Sequence, residues 1–379
     1  MYEITIESLA STGLGVGRVT EDGFTRAVFV PFSCPGDTIR VKINERKKKY
    51  YTGEIAEILK ESPFRQPIRC RHFGVCGGCD LLHIKYDKQV EMKREFLKFI
   101  FKDYYNGEIK TIVGNPDYYR DKARIHSDRK NAGWKKFRSD EIVNVEECML
   151  VNPSLLAEFE KLRGSKGEYV LVADENGVTT WNIKQELTMK DAEDGNYVCS
   201  YMLKGQKILF SASCFIQSNS KLNEKLVNIV VDEIRKENPK EMLELFSGVG
   251  NFSSQIDFCK VTCVEGDKIS PYFGKINARH CTHMNQDVYK FLEANRQKYD
   301  VVLLDPPRGG IADEYAKIIS EMADTIIYVS CDANALKGNL KEMNGFRLER
   351  LWLVDMFPHT HHVEIVAVLK RNKASENNI

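Results

Sequence analysis

A cysteine following an apolar strand, an acid beginning another strand and an Asp-Pro-Pro-Arg turn ending a third form the most reactive constellation in this chain. They lie in Val329-Ser330-Cys331-Asp332, His361-His362-Val363-Glu364 and Asp305-Pro306-Pro307-Arg308. In an open α/β sheet the carboxyl ends of the strands form the ligand crevice, so a residue just past Ile326-Ile327-Tyr328-Val329 stands at that rim. A lone cysteine is ordinarily a small buried hydrophobe. Cys331 is not alone. A thiolate adding to carbon 6 of uracil pushes electron density to carbon 5, which can then attack an electrophilic methyl group. A base must afterwards remove the carbon 5 proton so that the thiol leaves. Cys331 as nucleophile, Glu364 as base and Asp305 as hydrogen-bond partner of the polarised ring edge are the groups this chemistry requires.

A second constellation suits a cofactor. Ser247-Gly248-Val249-Gly250-Asn251-Phe252 follows the apolar strand Glu241–Phe246. Glycines there let the backbone pass close under a ligand. Glu265 ends the next strand, where an acid can take both ribose hydroxyls. Asp287, after Asn285-Gln286, is placed to reach an adenine amino group. The dinucleotide pattern needs a third glycine for helix packing, and Phe252 or Ser253 occupies that region. An adenosyl cofactor without a pyrophosphate is therefore favoured.

A third constellation suits a metal. Cys70, Cys76 and Cys79 form C-x5-C-x2-C in a glycine-rich loop, and Cys148 follows Val145-Glu146-Glu147. Four thiolates from two segments can hold zinc or an iron–sulfur cluster. Spacing does not choose between them, and zinc is the default reading of the residues alone. Cys34, Cys199, Cys214, Cys259, Cys263 and Cys281 read as packing residues.

The elements that must position these groups divide the chain of 379 residues, longer than one core usually organises. Residues 1–60 show period-2 runs (Glu3–Glu7, Ala27–Val30, Thr38–Ile43, Tyr51–Ile55) separated by turn signals at Gly13, Gly15, Gly17, Asp22-Gly23 and Pro35-Gly36. Five short strands in an OB-like β-barrel are predicted. Residues 61–86 and 118–209 form a central, mixed α/β region carrying the cysteines. Between them, 87–117 supplies a helix over Asp87–Lys102 that docks on the catalytic unit. Residues 210–370 alternate strands and helices, which predicts a mostly parallel α/β sheet. Residues 371–379 read as a flexible tail.

Composition excludes several classes. The hydrophobic fraction of 42% is ordinary for a globular protein, and no apolar run approaches membrane-spanning length. The opening residues lack a basic, then apolar, leader pattern, so a cytoplasmic location and no membrane partner are expected. Net charge is only +1, yet basic residues outnumber acidic ones between Arg40 and Arg71. A second basic stretch, Arg120 to Arg138, interleaves Tyr118, Tyr119, His126 and Trp134. Cations beside stacking platforms suit single-stranded or loop RNA.

The stretches Leu243–Phe252, Leu304–Gly310, Tyr328–Asp332 and Asp355–Glu364 resemble the RNA uracil-5-methyltransferase family along nearly the whole chain. The resemblance implies a class I Rossmann-like methyltransferase domain that uses S-adenosylmethionine. It also implies Cys331 as nucleophile, Glu364 as base and Asp305 at both uracil and cofactor. Cofactor contacts are implied from Gln217, Phe246, Gly248, Asn251, Glu265 and Asp287. Phe73–Cys79 resembles the cluster-bearing branch, implying a 4Fe–4S cluster on Cys70, Cys76, Cys79 and Cys148. Residues 1–60 resemble a TRAM domain through Gly13–Gly17 and Phe29–Asp37. Together these imply an enzyme acting on 23S ribosomal RNA, with the tRNA thymine-loop uridine as alternative; a monomer is expected. Two departures are Ser247 for the family's usual Cys and Asp332 for its usual Asn.

Rival readings are a radical methylthiotransferase, which needs C-x3-C-x2-C, and a cytosine-5 methyltransferase, which commonly presents its cysteine after Pro or Thr. A non-catalytic iron–sulfur RNA-binding protein is the alternative from another class. Intact Cys331, Glu364 and Asp305 weigh against it.

Overall fold

The computed structural model describes residues 1–372. In the N-terminal unit β1 (Tyr2–Thr5), β2 (Ser8–Leu9), β3 (Gly15–Glu21), β4 (Phe24–Val30), β5 (Thr38–Arg46) and β6 (Tyr50–Lys60) form one sheet of order β1-β5-β6-β4-β3-β2. Alternate residues such as Val28, Val30, Ile39 and Val41 point inward and are fully buried, the period-2 pattern made physical. Two expectations are corrected here. Six strands replace five, and among the described residues no ladder closes the sheet into a barrel. Its edges, β1 and β2, are halves of one bent segment that pairs with β5 at one end and β3 at the other. Gly15 and Gly17, predicted as turns, instead lie inside β3. A Cβ on Gly15 would stand 2.0 Å from Ser33 Oγ, and one on Gly17 would stand 2.9 Å from the Thr5 carbonyl oxygen. The glycines permit close backbone approach, not a turn.

Helix α1 (Tyr86–Phe101) matches its predicted span within one residue at each end. Its Leu97, Ile100 and Phe101 join the core beneath the catalytic sheet. The strand after it, β7 (Ile109–Ile112), adds to the edge of that sheet. The central region contains β8 (Lys122–Asp128), β9 (Ala132–Gly133), α2 (Pro153–Leu162), β10 (Lys166–Asp174), β11 (Gly177–Asn182), α3 (Met189–Glu193), β12 (Val198–Leu203) and β13 (Gln206–Ser211). β8 to β11 form a four-stranded antiparallel sheet, and β12–β13 is a separate hairpin. Cys199, Leu203, Ile208 and Phe210 of that hairpin pack with the catalytic core.

The catalytic unit follows α4 (Ser220–Lys236) with β14 (Glu241–Leu245), β15 (Lys260–Glu265), α5 (Ser270–Asn277), β16 (Thr282–Asn285), α6 (Val288–Ala294), β17 (Val301–Leu304), α7 (Asp313–Met322), β18 (Thr325–Ser330), α8 (Ala333–Glu342), β19 (Phe346–Val354) and β20 (Glu364–Arg371). Its eight-stranded sheet runs β16-β15-β14-β17-β18-β20-β19-β7. All neighbours are parallel except β20, which is antiparallel to both β18 and β19. Strands such as β17 and β18 are buried on both faces, hence the unbroken apolar sequence of β17 and the apolar run Ile326–Val329 within β18. No helix of the described residues is long and apolar enough to cross a membrane. Arg371 closes β20, so the expected tail begins inside a strand; residues 373–379 of it lie outside the described residues.

Candidate active site

Sheet register brings the reactive residues together. Leu245, Leu304 and Tyr328 stand side by side across β14, β17 and β18. One residue beyond the first two lie Phe246 and Asp305. Ser330 pairs with Ile365, so one further step along the antiparallel register sets Cys331 against Glu364. A cavity of about 510 Å³ opens over these strand ends, lined by Cys331, Glu364, Asp305, Gln217, Phe246, Gly248, Asn251 and Glu265. Eight of the nine residues singled out for catalysis and cofactor therefore share one cavity. Asp287 is the exception. Its carboxylate caps α6 by accepting from the Lys290 backbone N–H at 3.0 Å, and it is not in the wall.

The cofactor side is built from backbone. Phe246 has a φ of 60°, a left-handed conformation that non-glycine residues hold only where surrounding structure enforces it. It turns the chain into Gly248, where a side chain would meet nothing within 4 Å and would project into open space. The Glu265 carboxylate holds this turn, accepting from Gly248 N–H at 2.8 Å and from Asp267 N–H at 2.7 Å. Asn251 is fixed by partners that the sequence did not announce. Its Oδ1 accepts from Tyr201 Oη and from Asn223 Nδ2, each at 2.8 Å, and its own Nδ2 donates to Asn223 Oδ1 at 3.1 Å. A bare glycine turn, an acid at the neighbouring strand end and an aromatic ring fit an adenosyl cofactor.

Electrostatics distinguish the catalytic side. Burial raises the Cys331 thiol to about 11, the Glu364 charge adds to this, and the Arg308 guanidinium opposes it. Burial also lifts Asp305 to about 7. Glu364 is raised well above the ordinary carboxylate range by burial and by Asp305, again opposed by Arg308. Arg308 is exposed and makes no ion pair among the described residues. Sequence reading quoted it without a role; a guanidinium beside a thiol and two acids is the signal that was passed over. His362 also lines the wall, its ring 4.2 Å from that of His361, and burial lowers it to about 3. Phe215, 74% exposed, stands at the mouth. Of the two unusual residues, Asp332 caps α8 by accepting from Asn334 and Ala335 N–H, and Ser247 lines the cavity.

The segment Asp355–His362 is fixed from outside the catalytic unit. Lys93 of α1 donates to Asp355 at 2.6 Å and to the Phe357 carbonyl at 3.0 Å, while Tyr86 donates to Asp355 at 2.8 Å. The Lys93–Asp355 pair is buried. Asp80 and Leu81 N–H both donate to the His359 carbonyl, and the Asp80 carboxylate meets His361 Nδ1. Gly13 of the N-terminal unit touches the same point, since a Cβ there would stand 3.0 Å from His361 Cβ.

Cys70, Cys76, Cys79 and Cys148 surround one small cavity of about 20 Å³, walled also by Phe73, Leu82, Trp134, Val145 and Leu150. All four are free thiols. Gly78 N–H donates to Cys76 Sγ and Leu150 N–H to Cys148 Sγ, both at 3.4 Å. Among the described residues no group of three or more His, Cys, Asp or Glu side chains is close enough to hold a single metal ion. Of the remaining cysteines, Cys34, Cys199, Cys214 and Cys263 are buried, while Cys259 and Cys281 are only partly so.

Much of the basic stretch Arg40–Arg71 is internally neutralised. Arg65 meets buried Asp37, Arg69 meets Asp117, and Lys42 meets Glu54. In the second stretch Lys122 turns inward to the Cys214 carbonyl, and burial lowers it to about 8.

The chain matches the family model described as tRNA (Uracil-5-)-methyltransferase over residues 194–291 and 289–372. Residues 2–64 match the TRAM domain of tRNA (uracil(54)-C(5))-methyltransferase. It is 30% identical to the 23S rRNA (uracil(1939)-C(5))-methyltransferase RlmD of Aliivibrio fischeri, covering 97% of this chain and 96% of that one. An RNA methyltransferase of Thermotoga maritima is 26% identical over 97% of this chain and 99% of its own. The fold matches the Pyrococcus abyssi tRNA (uracil-54, C5)-methyltransferase in complex with S-adenosyl-L-homocysteine, with TM-score 0.76, 22% identity, and coverage of 97% and 100% of the two chains.

Proposed function

This chain belongs to the RNA uracil-5-methyltransferase family, and from that premise we propose that it makes 5-methyluridine in RNA by transient bonding of Cys331 to the base. The reading is carried by the convergence of Cys331, Glu364 and Asp305 with the glycine turn and Glu265 at one cavity. S-adenosylmethionine, when bound, supplies an electrophilic sulfonium methyl group. Cys331 bonds carbon 6 of uracil as a thiolate, its ionisation favoured by Arg308. Asp305, which burial lifts to about 7, donates as the neutral acid to the ring oxygen where negative charge collects. Carbon 5, now nucleophilic, accepts the methyl group. Glu364 then takes the carbon 5 proton, the carbon 6–sulfur bond breaks and Cys331 is released. Gln217, Phe246, Gly248, Asn251 and Glu265 hold the cofactor. Asp287 caps α6 through Oδ1, which leaves Oδ2 to accept from the adenine amino group.

The base must leave its stack to present both faces, so an unpaired or loop uridine is the substrate. The named activity of the Aliivibrio relative favours 23S rRNA. The N-terminal match to a tRNA enzyme's TRAM domain supports tRNA as the second reading. Cys70, Cys76, Cys79 and Cys148 fit a 4Fe–4S cluster. Their donor set is all thiol and backbone N–H groups meet two of the sulfurs, with zinc as the alternative occupant. Such a group ties the 70–79 loop to Cys148; methyl transfer itself consumes no electrons.

Incubation with labelled S-adenosylmethionine and separated ribosomal and transfer RNA pools tests the assignment. Label is expected in 5-methyluridine of one pool. Label in 5-methylcytidine overturns it.

A further inference from the structure

A second cleft, of about 240 Å³, lies where α4 begins. It and the catalytic cavity are adjacent along the chain: Gln217 lines the catalytic cavity, and Asn219 lines this cleft and caps α4. Asn219 is 3% exposed, its Oδ1 accepts from Leu222 N–H, and its Nδ2 has no partner among the described residues. An orphaned buried donor is costly unless a ligand or ordered water satisfies it. Lys221 and Lys225 also line the cleft, and neither ammonium is engaged by a carboxylate among the described residues; Lys225 donates to the Val113 carbonyl. The 17-residue helix adds its positive end. The one acid in the wall, Asp117, is already occupied by Arg69 at 2.8 and 3.1 Å and by His359 at 3.2 Å.

The other wall carries Tyr118, 55% exposed and held at a φ of 55°. A tyrosine kept in the left-handed region with its ring in solvent is a structural expense that packing does not explain. Its neighbour Tyr119 is buried and donates to the Pro358 carbonyl at 3.3 Å, so the platform is tied to the catalytic segment.

Resting on the RNA reading above, we propose that this cleft is a subsite for a nucleotide flanking the target uridine. Its phosphate is held by Asn219 Nδ2, Lys221, Lys225 and the α4 N-terminus, and its base stacks on Tyr118. Stacking tolerates any base, so the subsite fixes strand path and register without reading sequence.

The test measures binding of the full-length protein, with its metal site loaded, to a fluorescent oligouridylate of about a dozen nucleotides, a length within known groove site sizes. Anisotropy titrations are repeated across a range of potassium chloride concentrations. Tyr118→Ala should lower affinity about tenfold with the salt dependence intact, and Tyr118→Phe should restore it. Lys221→Gln with Lys225→Gln should reduce the slope of log affinity against log salt by roughly 0.7 for the phosphate lost. Binding of S-adenosylhomocysteine, titrated in parallel, should remain that of wild type and so certify folding. Wild-type affinity and slope in both variants overturn the subsite. Failure of the wild-type protein to form 5-methyluridine would instead strike the parent reading, so the two failures are distinguishable.

Discussion

Thiols gather in two places here, and their surroundings give them opposite tasks. Cys331 stands alone at a strand end, open to a cavity of about 510 Å³, with two acids and a guanidinium that has no ion pair among the described residues beside it. The other four face one another across about 20 Å³ of mostly apolar wall, with backbone N–H groups meeting two of the sulfurs. Burial raises Cys331 to about 11 and Cys76 to about 11 as well. Proton affinity therefore does not separate nucleophile from ligand. Access and the source of compensating positive charge do: Arg308 and an arriving cofactor at one, and at the other the metal group proposed above. The regions are coupled because Asp80, adjacent to Cys79, grips the His361 that precedes the catalytic wall.

The sharpest way to break this contrast is to exchange the losses. Cys331→Ala is expected to abolish methylation while leaving S-adenosylhomocysteine binding within twofold, as read by calorimetry. Cys79→Ser should instead empty the metal site and lower the thermal midpoint by several degrees, with bound iron and acid-labile sulfide falling together. Zinc in place of iron in the wild-type protein would reject the cluster.

Removing the clamp between the regions comes next. Lys93→Met leaves Asp355 buried without its cation, which costs about 3–5 kcal/mol of stability by denaturant titration. An unchanged midpoint would mean that α1 does not hold the segment. Asp80→Asn is expected to lower kcat several-fold with KM for the cofactor unchanged, since it loosens His361 without touching the glycine turn.

A further effect concerns pH. Buried Glu244 is lifted from 4.5 to about 8, and Asp305 from 3.8 to about 7, chiefly by burial. In each case the folded protein binds its proton more tightly than the unfolded chain does. Stability is therefore greatest near the unfolded values and falls as pH rises through the folded ones. Glu244→Gln should flatten part of that decline between about pH 5 and pH 8, measured by urea midpoints. A decline of unchanged steepness contradicts the assignment.

The catalytic region was largely readable in sequence because its residues sit at strand ends, and register turns distance along the chain into adjacency. Glu364 needed only the antiparallel placement of β20 to stand beside Cys331. What escaped was supplied by elements remote in sequence. Tyr201 and Asn223 fix Asn251 from a hairpin and a helix, and neither has a local signal of that use. Asp287 was read by position alone, and the use of its Oδ1 as the cap of its own helix had no separate signal in that reading. In the N-terminal unit, glycine served close packing where a turn was expected, because sequence does not reveal what lies across a strand. Within the first basic run Glu54, Asp117 and Asp37 pair Lys42, Arg69 and Arg65 through tertiary contacts that spacing along the chain does not reveal.

The central claim is a transient carbon–sulfur bond, and trapping it is the most direct test. Glu364→Gln protein is mixed with substrate RNA and S-adenosylmethionine, resolved on a denaturing gel and digested for mass spectrometry. The account predicts a covalent adduct carrying methylated uracil on Cys331, absent when Cys331→Ala is combined with it. A Glu364→Gln enzyme that turns over freely with no adduct, or an adduct on any other cysteine, would contradict it.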